Sequence, residues 1–250
     1  MKCLITGGSS GIGKDMAKTL SLLGNEVILV SKDENKLISA CEEIKNSHYY
    51  VCDLSYEVEV NKLCEYLLKE KPDIVINDAG FGAFGDYSEV SLEREMEMVK
   101  VNVISLHKIT KTCLKYMEGN KKAHILNVAS IAGLLPGGPL LGTYYATKSY
   151  VRSYTLGIYE ELRRKGSTIK ISCLCPGPVN TNFNNVAGGH FSINSKTSSF
   201  VSEYAIKYMF KNKLIILPGI DVKLGSFFGK ILPSKLVLKI LYKVEHKKRG

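Results

Sequence analysis

Residues 6–14 read TGGSSGIGK, and this short stretch fits two different nucleotide-binding motifs. Its last seven residues match G-x-x-x-x-G-K, the loop that holds the phosphates of a nucleoside triphosphate. Its first eight match a dinucleotide-binding turn that joins a strand to a helix. A triphosphate loop needs Ser or Thr after its lysine to bind magnesium, whereas this chain has Asp15, whose charge would repel phosphate. We therefore favour the dinucleotide turn and keep a triphosphatase as the weaker alternative.

The residues around this stretch support the dinucleotide turn. An apolar run, Lys2–Thr6, predicts a strand before it, and a helix is predicted to begin at about Ile12. In that arrangement, backbone N–H groups and the helix dipole point at a pyrophosphate. Gly7, Gly11 and Gly13 permit a tight turn and a close backbone approach that a Cβ atom would block.

Short apolar runs alternate with longer amphipathic segments along the whole chain. Several of the runs are almost continuously apolar, as expected for strands that helices cover on both faces. Strict alternation of strand and helix predicts one doubly wound α/β domain with a parallel sheet, over residues 1–219, followed by a basic helical extension over residues 220–250. The predicted strands are Lys2–Thr6, Glu26–Ser31, His48–Val51, Asp73–Asn77, His124–Ser130, Thr168–Cys175 and Lys213–Gly219.

Composition narrows the function classes and the compartment. The formal charge is +10, but no nucleic-acid reader motif is present, so we expect no nucleic-acid partner. No run of 18 apolar residues indicates a transmembrane helix, and the glycine turn begins too early to leave room for a signal peptide. Seven scattered cysteines without a C-x-x-C pair indicate free thiols in a reducing cytoplasm. Strand alternation places Cys173 and Cys175 on one face of a strand.

Seven motifs in this order resemble those of the short-chain dehydrogenase/reductase family, in its compact subtype. They are TGGSSGIG (6–13), CDLS (52–55), NDAG (77–80), VNV (101–103), NVAS (127–130), YYATK (144–148) and PGPVNT (176–181). The family's motif is N-N-A-G, and in this chain Asp78 stands in place of its second Asn. The resemblance covers nearly the whole chain and implies a Rossmann-type fold with about seven parallel strands. It also implies hydride transfer between a nicotinamide cofactor and a carbonyl or alcohol.

The resemblance assigns site residues motif by motif, and it implies no metal. The implied catalytic residues are Asn102, Ser130, Tyr144 and Lys148. The implied cofactor-binding residues are Gly7, Ser9, Ser10, Gly11, Ile12, Gly13, Ser31, Lys32, Asp53, Leu54, Asn77, Ala79, Gly80, Tyr144, Lys148, Pro176, Gly177, Val179 and Thr181. In these roles Ser130 would bind the reacting oxygen, Lys148 would hold the nicotinamide ribose, and Asn102 would hold a water that links Lys148 to solvent.

The Y-x-x-x-K spacing places Tyr144 and Lys148 on one helical face, one turn apart. A free tyrosine has a pKa near 10, and a nearby ammonium together with a positively charged nicotinamide would lower that pKa. Tyr144 would then give a proton to a carbonyl oxygen, or take one from an alcohol. Tyr145 is the competing phenol, but it lies only three residues before Lys148. The alternative is a chance pair on the protein surface.

The second strand predicts which nicotinamide cofactor is used. Many dinucleotide folds end this strand with an acidic residue that binds the ribose 2′-hydroxyl and repels a 2′-phosphate. By alignment with the family, Ser31 occupies that position and Lys32 follows it, which favours NADP(H) over NAD(H). Asp33 would oppose the phosphate if it turned inward. The alternative is that Lys32 and Asp33 are solvated loop charges.

The segment over residues 182–200, NFNNVAGGHFSINSKTSSF, has the Gly, Ser and Asn content of a mobile lid over the substrate. An uncharged and fairly hydrophobic carbonyl compound is the substrate class that we expect. His190 is a candidate substrate contact, with a solvated loop histidine as the alternative. The candidate apolar residues around the substrate are Phe81, Phe84, Leu135, Phe183, Phe191 and Ile193.

The C-terminal segment SKLVLKILYKVEHKK predicts an amphipathic helix whose lysines, Lys235, Lys239 and Lys243, form a stripe opposite its apolar face. Such a helix either docks on the domain or lies on an anionic membrane surface. With GSFFGKILP before it, the tail would shape an entrance for a lipid-like substrate. The predicted apolar face consists of Leu236, Val237, Ile240, Leu241 and Val244.

The family resemblance also implies a homo-oligomer that forms through two long helices, roughly 92–117 and 142–164, although the tail would block one usual contact. A cofactor-binding sensor or scaffold without turnover is the second function class. The complete set of four catalytic residues argues against it, because a non-catalytic protein has no chemical need for all four.

Overall fold

The computed structural model describes residues 1–181, 183, 187–188 and 195–247, with Lys230 described by its backbone alone. Seven parallel strands form one sheet in the order β3-β2-β1-β4-β5-β6-β9, and β7 pairs with β8 outside it. The strands are β1 Lys2–Thr6, β2 Glu26–Ser31, β3 Ser47–Val51, β4 Ile74–Asn77, β5 His124–Val128, β6 Lys170–Leu174, β7 Val179–Asn180, β8 Lys196–Thr197 and β9 Ile215–Ile216.

The predicted sheet is confirmed. Four of its strands, β4, β5, β6 and β9, are shorter than predicted, whereas β1 and β2 have the predicted bounds and β3 begins one residue earlier. The strand predicted over 213–219 is only Ile215–Ile216 in the structure, and it pairs with the last two residues of β6. Pro218 follows it and has no backbone N–H to continue the pairing. The short β7–β8 pair has no alternating apolar pattern, and the prediction therefore missed it.

Helices cover both faces of the sheet. The helix predicted over 92–117 is interrupted by a π-helical segment, Lys100–Ser105, so that it consists of α4 and α5 on either side of this segment. The described helices are α1 Gly11–Leu22, α2 Glu34–Glu43, α3 Glu57–Glu70, α4 Leu92–Val99, α5 Leu106–Tyr116, α6 Gly142–Arg164, α7 Ser198–Phe210, α8 Ile220–Ile231 and α9 Ser234–His246.

Two apolar clusters hold these layers together. One lies between the sheet and α1, α2 and α7, and it includes Met16, Leu37 and Met209. The other lies on the opposite face against α3, α5 and α6, and it includes Leu63 and Ile109. Because both faces of the central strands are buried, most of the residues in those strands are apolar.

The cysteines match the sequence prediction. All seven are free thiols. Cys173 and Cys175 are buried with their Sγ atoms 3.7 Å apart, so both side chains lie on one side of the sheet end, as predicted. Burial raises the pKa of Cys3 and Cys52 to about 12, which keeps these thiols protonated and unreactive at neutral pH.

Only part of the predicted apolar face of α9 packs on the domain. Val237 is buried, and Leu241 packs against a small cluster that includes Leu141 and Tyr145. Leu236, Ile240 and Val244 are 45%, 48% and 39% exposed. The prediction left open whether this face docks on the domain or lies on a membrane, and in the structure Val237 and Leu241 dock while the other three residues stay exposed. Over the part of the chain that the structure describes, no helix is both long enough and apolar enough to cross a bilayer.

Candidate active site

The glycine turn lies where β1 ends and α1 begins, at the carboxyl edge of the sheet. Gly7 and Gly11 have φ angles of 73° and 56°, which favour glycine. Ser10 precedes α1 in an extended conformation, and its side chain makes no capping hydrogen bond in the described structure. Gly11 and Ile12, the first two residues of α1, line the cleft, and the Gly13 N–H bonds to the Asp78 carboxyl group. A helix N-terminus without a side-chain cap beside a cleft is the arrangement that binds phosphate groups.

Glycines stand at positions beside the cleft where a Cβ atom would come too close to neighbouring groups. A Cβ atom on Gly13 would lie 2.5 Å from the carbonyl oxygen of Gly7 and 2.8 Å from Oδ2 of Asp78. A Cβ atom on Gly80 would lie 3.2 Å from Nζ of Lys148. The glycines thus let the turn and the loop after β4 pack closely at the carboxyl edge of the sheet, and this close packing at the start of α1 fits a dinucleotide.

The Walker-type alternative is disfavoured by where its key residues lie. The ammonium of Lys14 donates to Glu43 at 2.7 Å, which holds it away from the turn. Asp15 accepts a hydrogen bond from the hydroxyl of Ser198 at the start of α7. Neither side chain is placed to contact a phosphate and its magnesium ion.

Tyr144 and Lys148 lie on the face of α6 that borders the cleft, and Ser130 lies opposite them just after β5. Lys148 is 5% exposed, and its Nζ donates to the carbonyl oxygen of Val128 at 2.9 Å. Its ammonium lies 5.9 Å from the ring centre of Tyr144. Gly133 allows the turn after Ser130 to pack directly against α6, because a Cβ there would collide with the carbonyl oxygen of Lys148. This packing fixes the distance between Ser130 and Tyr144.

The electrostatics differ from the expected lowering of the Tyr144 pKa. Burial raises the pKa of Tyr144 to about 12, against a hydrogen bond to Ser130 that lowers it. Burial also lowers the pKa of Lys148, although the Asp78 carboxylate opposes that shift. The expectation included a positively charged nicotinamide, which the protein chain alone does not supply. Without it, Tyr144 is a protonated phenol at neutral pH.

Asp78 is the acidic group of the cleft that the prediction did not assign a role. Burial raises the pKa of its carboxyl group to about 7, while Lys148 and the backbone N–H of Gly13 favour the ionised form. It lines the cleft next to the glycine turn. The sequence signal was its departure from the family's Asn at this position.

Asn102 lies in the π-helical segment between α4 and α5, and it is 1% exposed. Its amide clamps the strand-end loop, because Nδ2 donates to the carbonyl oxygen of Phe81 at 2.9 Å and Oδ1 accepts from the Phe81 N–H at 3.0 Å. Nδ2 also donates to the Thr147 hydroxyl at 3.1 Å. The amide thus connects the loop that carries Gly80 to α6.

Five of the predicted cofactor-binding residues lie near one another beyond the glycine turn, namely Ser9, Ser31, Lys32, Asp53 and Leu54. The Ser9 hydroxyl donates to the Ser31 hydroxyl at 3.0 Å. Lys32 is exposed, and its Nζ lies 3.7 Å from Asp53 Oδ2 and 3.9 Å from Glu97 Oε1. Leu54 is 8% exposed and belongs to the apolar core beside the sheet.

The side chains of Asp33 and Asn77 make hydrogen bonds within the protein. Asp33 caps α2 by accepting from the backbone N–H of Lys36, so its carboxylate is turned into the helix. Asn77 is buried with its Nδ2 bound to Thr110 and Asn127, and its side chain does not line the cleft.

The cleft has a cavity volume of about 310 Å³, and most of the predicted residues line it. Ser9, Gly13, Ser31, Lys32, Asp53, Leu54, Asn77 and Asn102 are not among its lining residues. The predicted residues that line it are Gly7, Ser10, Gly11, Ile12, Ala79, Gly80, Ser130, Tyr144, Lys148, Pro176, Gly177, Val179 and Thr181.

The substrate end of the cleft is apolar, with one carboxylate from the C-terminal extension. The rings of Phe183 and Tyr144 have centres 5.4 Å apart, and Phe81 also lines the cavity. Tyr145 lines it as well, and its hydroxyl donates to Glu245 at 3.5 Å. Glu245 is 4% exposed and comes from α9, so sequence separation hid it from the prediction.

Other predicted substrate contacts differ in what the structure describes. Phe84 and Leu135 pack against the cluster that includes Leu141 and Tyr145. His190, Phe191 and Ile193 lie outside the described residues.

A doubly wound parallel sheet with a glycine turn at the β1–α1 junction defines a Rossmann-type nucleotide-binding protein. The model of the short chain dehydrogenase family matches residues 2–189. The chain therefore belongs to the short chain dehydrogenase family, and it is an oxidoreductase of the dehydrogenase/reductase class.

Individual relatives agree with this class. The chain is 32% identical over 185 residues to a diacetyl reductase [(S)-acetoin forming] of Staphylococcus epidermidis, covering 71% of each protein. A solved short chain dehydrogenase/reductase of Burkholderia phymatum in complex with NAD is 25% identical, with 91% of this chain and 92% of that one covered and a TM-score of 0.81. The fold also matches a short-chain dehydrogenase of Sphingobium yanoikuyae in complex with NADPH, at 21% identity, 92% coverage of both chains and a TM-score of 0.83.

Proposed function

We propose that the protein is an NADP(H)-dependent oxidoreductase that interconverts a ketone or aldehyde and an alcohol, with Tyr144 as general acid and base. The observation that carries the proposal is the arrangement of the cleft. Tyr144, Lys148 and Ser130 border the same cavity as the bare glycine turn. A non-catalytic dinucleotide sensor, the second candidate, would need the turn but not the three polar groups.

The chemistry divides between the cofactor and the chain. When the cofactor is bound with its pyrophosphate at the glycine turn, its nicotinamide supplies or accepts the hydride. In reduction, the Tyr144 hydroxyl gives its proton to the carbonyl oxygen that gains charge, and Ser130 donates a hydrogen bond to the same oxygen. Lys148 stabilises the resulting phenolate through its charge. In alcohol oxidation, the phenolate takes the proton back.

The protonation state of the unliganded site suits the reductive direction. With its pKa raised to about 12 by burial, Tyr144 carries its proton at neutral pH and is ready to donate it. Asn102 acts on this machinery indirectly, since it holds the Phe81 loop against Thr147, one residue before Lys148.

Three contacts support NADP(H) over NAD(H). Ser31, bound to Ser9, leaves the strand end without a carboxylate at the position that would repel a 2′-phosphate. Asp33 is held in the cap of α2. The Lys32 ammonium is 3.7 Å from Asp53, and exposed pairs of this kind contribute little, so a phosphate can recruit it.

We further propose an uncharged, largely apolar substrate. Phe81, Phe183 and Tyr145 provide the apolar part of the cavity. Glu245 adds one acceptor at this end, which favours a substrate with a hydroxyl or other hydrogen-bond donor remote from its carbonyl. Cytoplasmic location and self-association through the helices over 92–116 and 142–164 remain predictions from the sequence.

The experiment is a turnover screen with a panel of ketones and aldehydes, each supplied with NADPH and with NADH. We expect turnover with NADPH on apolar carbonyl compounds, and we expect Ser31→Asp to shift the preference to NADH. A Ser31→Asn variant, which adds similar bulk without charge, is the control. Binding of NADPH without turnover across the panel would favour the sensor, and an unchanged preference in Ser31→Asp would contradict the role given to Ser31.

A further inference from the structure

The C-terminal helix α8 is packed with its small residues inward and its large apolar residues outward. Val222 and Ser226 are buried, and Gly225 and Gly229 bring α8 against Ile131 and Leu135. The opposite face bears five large apolar side chains in one stripe, at i, i+4, i+7, i+8 and i+11. They are Ile220, Leu224, Phe227, Phe228 and Ile231, and their exposed fractions are 73%, 52%, 58%, 52% and 63%.

Helix α9 continues this pattern after Pro233. Leu236, Ile240 and Val244 follow one another at every fourth position and are exposed, while Val237 on the neighbouring face is buried. We call the exposed stripe of α8 together with these three residues the C-terminal surface. Scattered exposed apolar residues are normal, but eight within 25 residues mark an interaction site.

The charges around the C-terminal surface identify its partner. Residues 220–250 contain seven lysines and one arginine against one aspartate and one glutamate, which gives +6 of the chain's formal +10. On α9, Lys235, Lys239 and Lys243 are exposed and follow the apolar stripe along one side. Both acids are engaged elsewhere, since Asp221 pairs with Lys196 and Glu245 is buried beside Tyr145.

This combination distinguishes between two occupants. A second copy of the same surface would bring lysines against lysines, which is unfavourable. An anionic bilayer accepts the apolar side chains between its lipid tails, while the lysines reach its headgroups with their long stems. Each lysine near such a surface adds to the attraction.

We propose that the C-terminal surface binds the interface of an anionic phospholipid bilayer, with α8 and α9 lying on the membrane. The inner faces of the same helices contact the substrate end of the cleft, because Glu245 lines the cavity and Leu241 packs against the same cluster as Leu135. Membrane binding therefore places the cleft next to the bilayer. The proposal goes beyond the enzymatic function and requires neither cofactor nor turnover.

Co-sedimentation of the full chain with vesicles tests this proposal. One set of vesicles contains equal parts of phosphatidylglycerol and phosphatidylcholine, and the other contains phosphatidylcholine alone. We expect partitioning to the anionic vesicles that is at least about tenfold stronger and that weakens with added salt. Thermal unfolding followed by circular dichroism verifies that each variant is folded.

Three triple variants separate the two components of the surface from charge in general. Leu224→Gln/Phe227→Gln/Ile231→Gln removes the apolar component, and Lys235→Gln/Lys239→Gln/Lys243→Gln removes the lysine stripe. Lys45→Gln/Lys121→Gln/Lys122→Gln removes the same charge at exposed positions elsewhere. We expect the first two variants to lose about tenfold or more in partitioning and the third to lose little.

Three results would overturn the proposal. One is the absence of binding to anionic vesicles at low salt. Another is binding that the control variant weakens as much as the lysine-stripe variant, which would show attraction to total charge. The third is a dimer in light scattering that the apolar variant dissociates, without vesicle binding, because it would assign the surface to a second copy of the chain.

Discussion

The glycine turn and α8 both depend on glycine, but glycine has opposite effects in the two regions. In the turn, Gly7 and Gly11 present bare backbone to the cleft, and Gly13 lets α1 pack against the carbonyl oxygen of Gly7. In α8, Gly225 and Gly229 face the domain and let the helix approach Ile131 and Leu135, which leaves the phenylalanines in solvent. The first arrangement exposes backbone to a ligand, and the second exposes apolar side chains to a surface.

Because of this difference, we expect the two regions to respond to substitution in different ways. Changes at the cleft should alter the chemistry or cofactor binding, because the groups of the cleft are buried and each is held by a few specific contacts. Changes on the outer face of α8 should leave folding and turnover intact, because nothing in the described structure packs against that face.

Tyr144→Phe should lower kcat by about 10²–10⁴-fold, because it removes the proton that the carbonyl oxygen receives. The neighbouring Tyr145→Phe is the matched control, since it removes a phenol of the same cleft that binds Glu245 instead. Steady-state rates with NADPH, together with NADPH affinity, measure both effects. Equal losses in the two variants, or activity retained in Tyr144→Phe, would remove Tyr144 from its catalytic role.

Gly13→Ala should destabilise the protein by about 1–3 kcal/mol, because the new methyl group overlaps the carbonyl oxygen of Gly7. It should also weaken NADPH binding, since relief of that overlap moves the turn. Gly157→Ala in α6 is the control: among the described residues, no atom outside the neighbouring backbone of α6 lies within 4 Å of the added Cβ, and the variant should be more stable by about 0.4–1 kcal/mol. Urea unfolding of both variants provides the comparison, and a neutral Gly13→Ala would show that the turn is loosely packed.

The two faces of α8 should differ in their contribution to stability. Val222 is 1% exposed, and Val222→Ala should cost about 1.6 kcal/mol for its two lost carbon groups. Phe228 is 52% exposed, and Phe228→Ser should change the free energy of unfolding by less than about 0.5 kcal/mol. If the serine variant lost as much stability as the alanine variant in urea unfolding, the outer face would be packed against protein.

Asp78→Asn should change how stability depends on pH. Burial raises the carboxyl pKa of Asp78 from 3.8 to about 7, so folding takes up a proton between pH 4 and pH 7. That contribution to stability is fully present below pH 4 and is lost as the pH rises through 7. The free energy of unfolding of Asp78→Asn, relative to wild type, should therefore increase from pH 4 to pH 7. A constant difference across this range would contradict the buried carboxyl.

Much of the fold and of the candidate active site could be predicted from the sequence, because the signals are local. Apolar runs located the seven strands of the sheet, and the ends of parallel strands meet at one edge, so that Gly7, Ser130 and Pro176 come together. The spacing of Tyr144 and Lys148 placed both on the cleft face of α6.

What the sequence left open depends on tertiary packing. Glu245 reaches the cleft from 100 residues beyond Tyr145, and no local pattern encodes that contact. The π-helical segment around Asn102 has no distinctive periodicity over its six residues. For α8, periodicity separates the large from the small residues but does not say which face docks, and here the small face does.

The central claim is that the glycine turn binds a dinucleotide. A calorimetric titration of the full chain with NADPH, and in parallel with NADH, tests it most directly. We expect both cofactors to bind at one site per chain, with NADPH the tighter ligand because Ser31 and Lys32 accept a 2′-phosphate. The absence of heat and of saturable binding with either cofactor would contradict the account, because the glycine turn would then hold no dinucleotide.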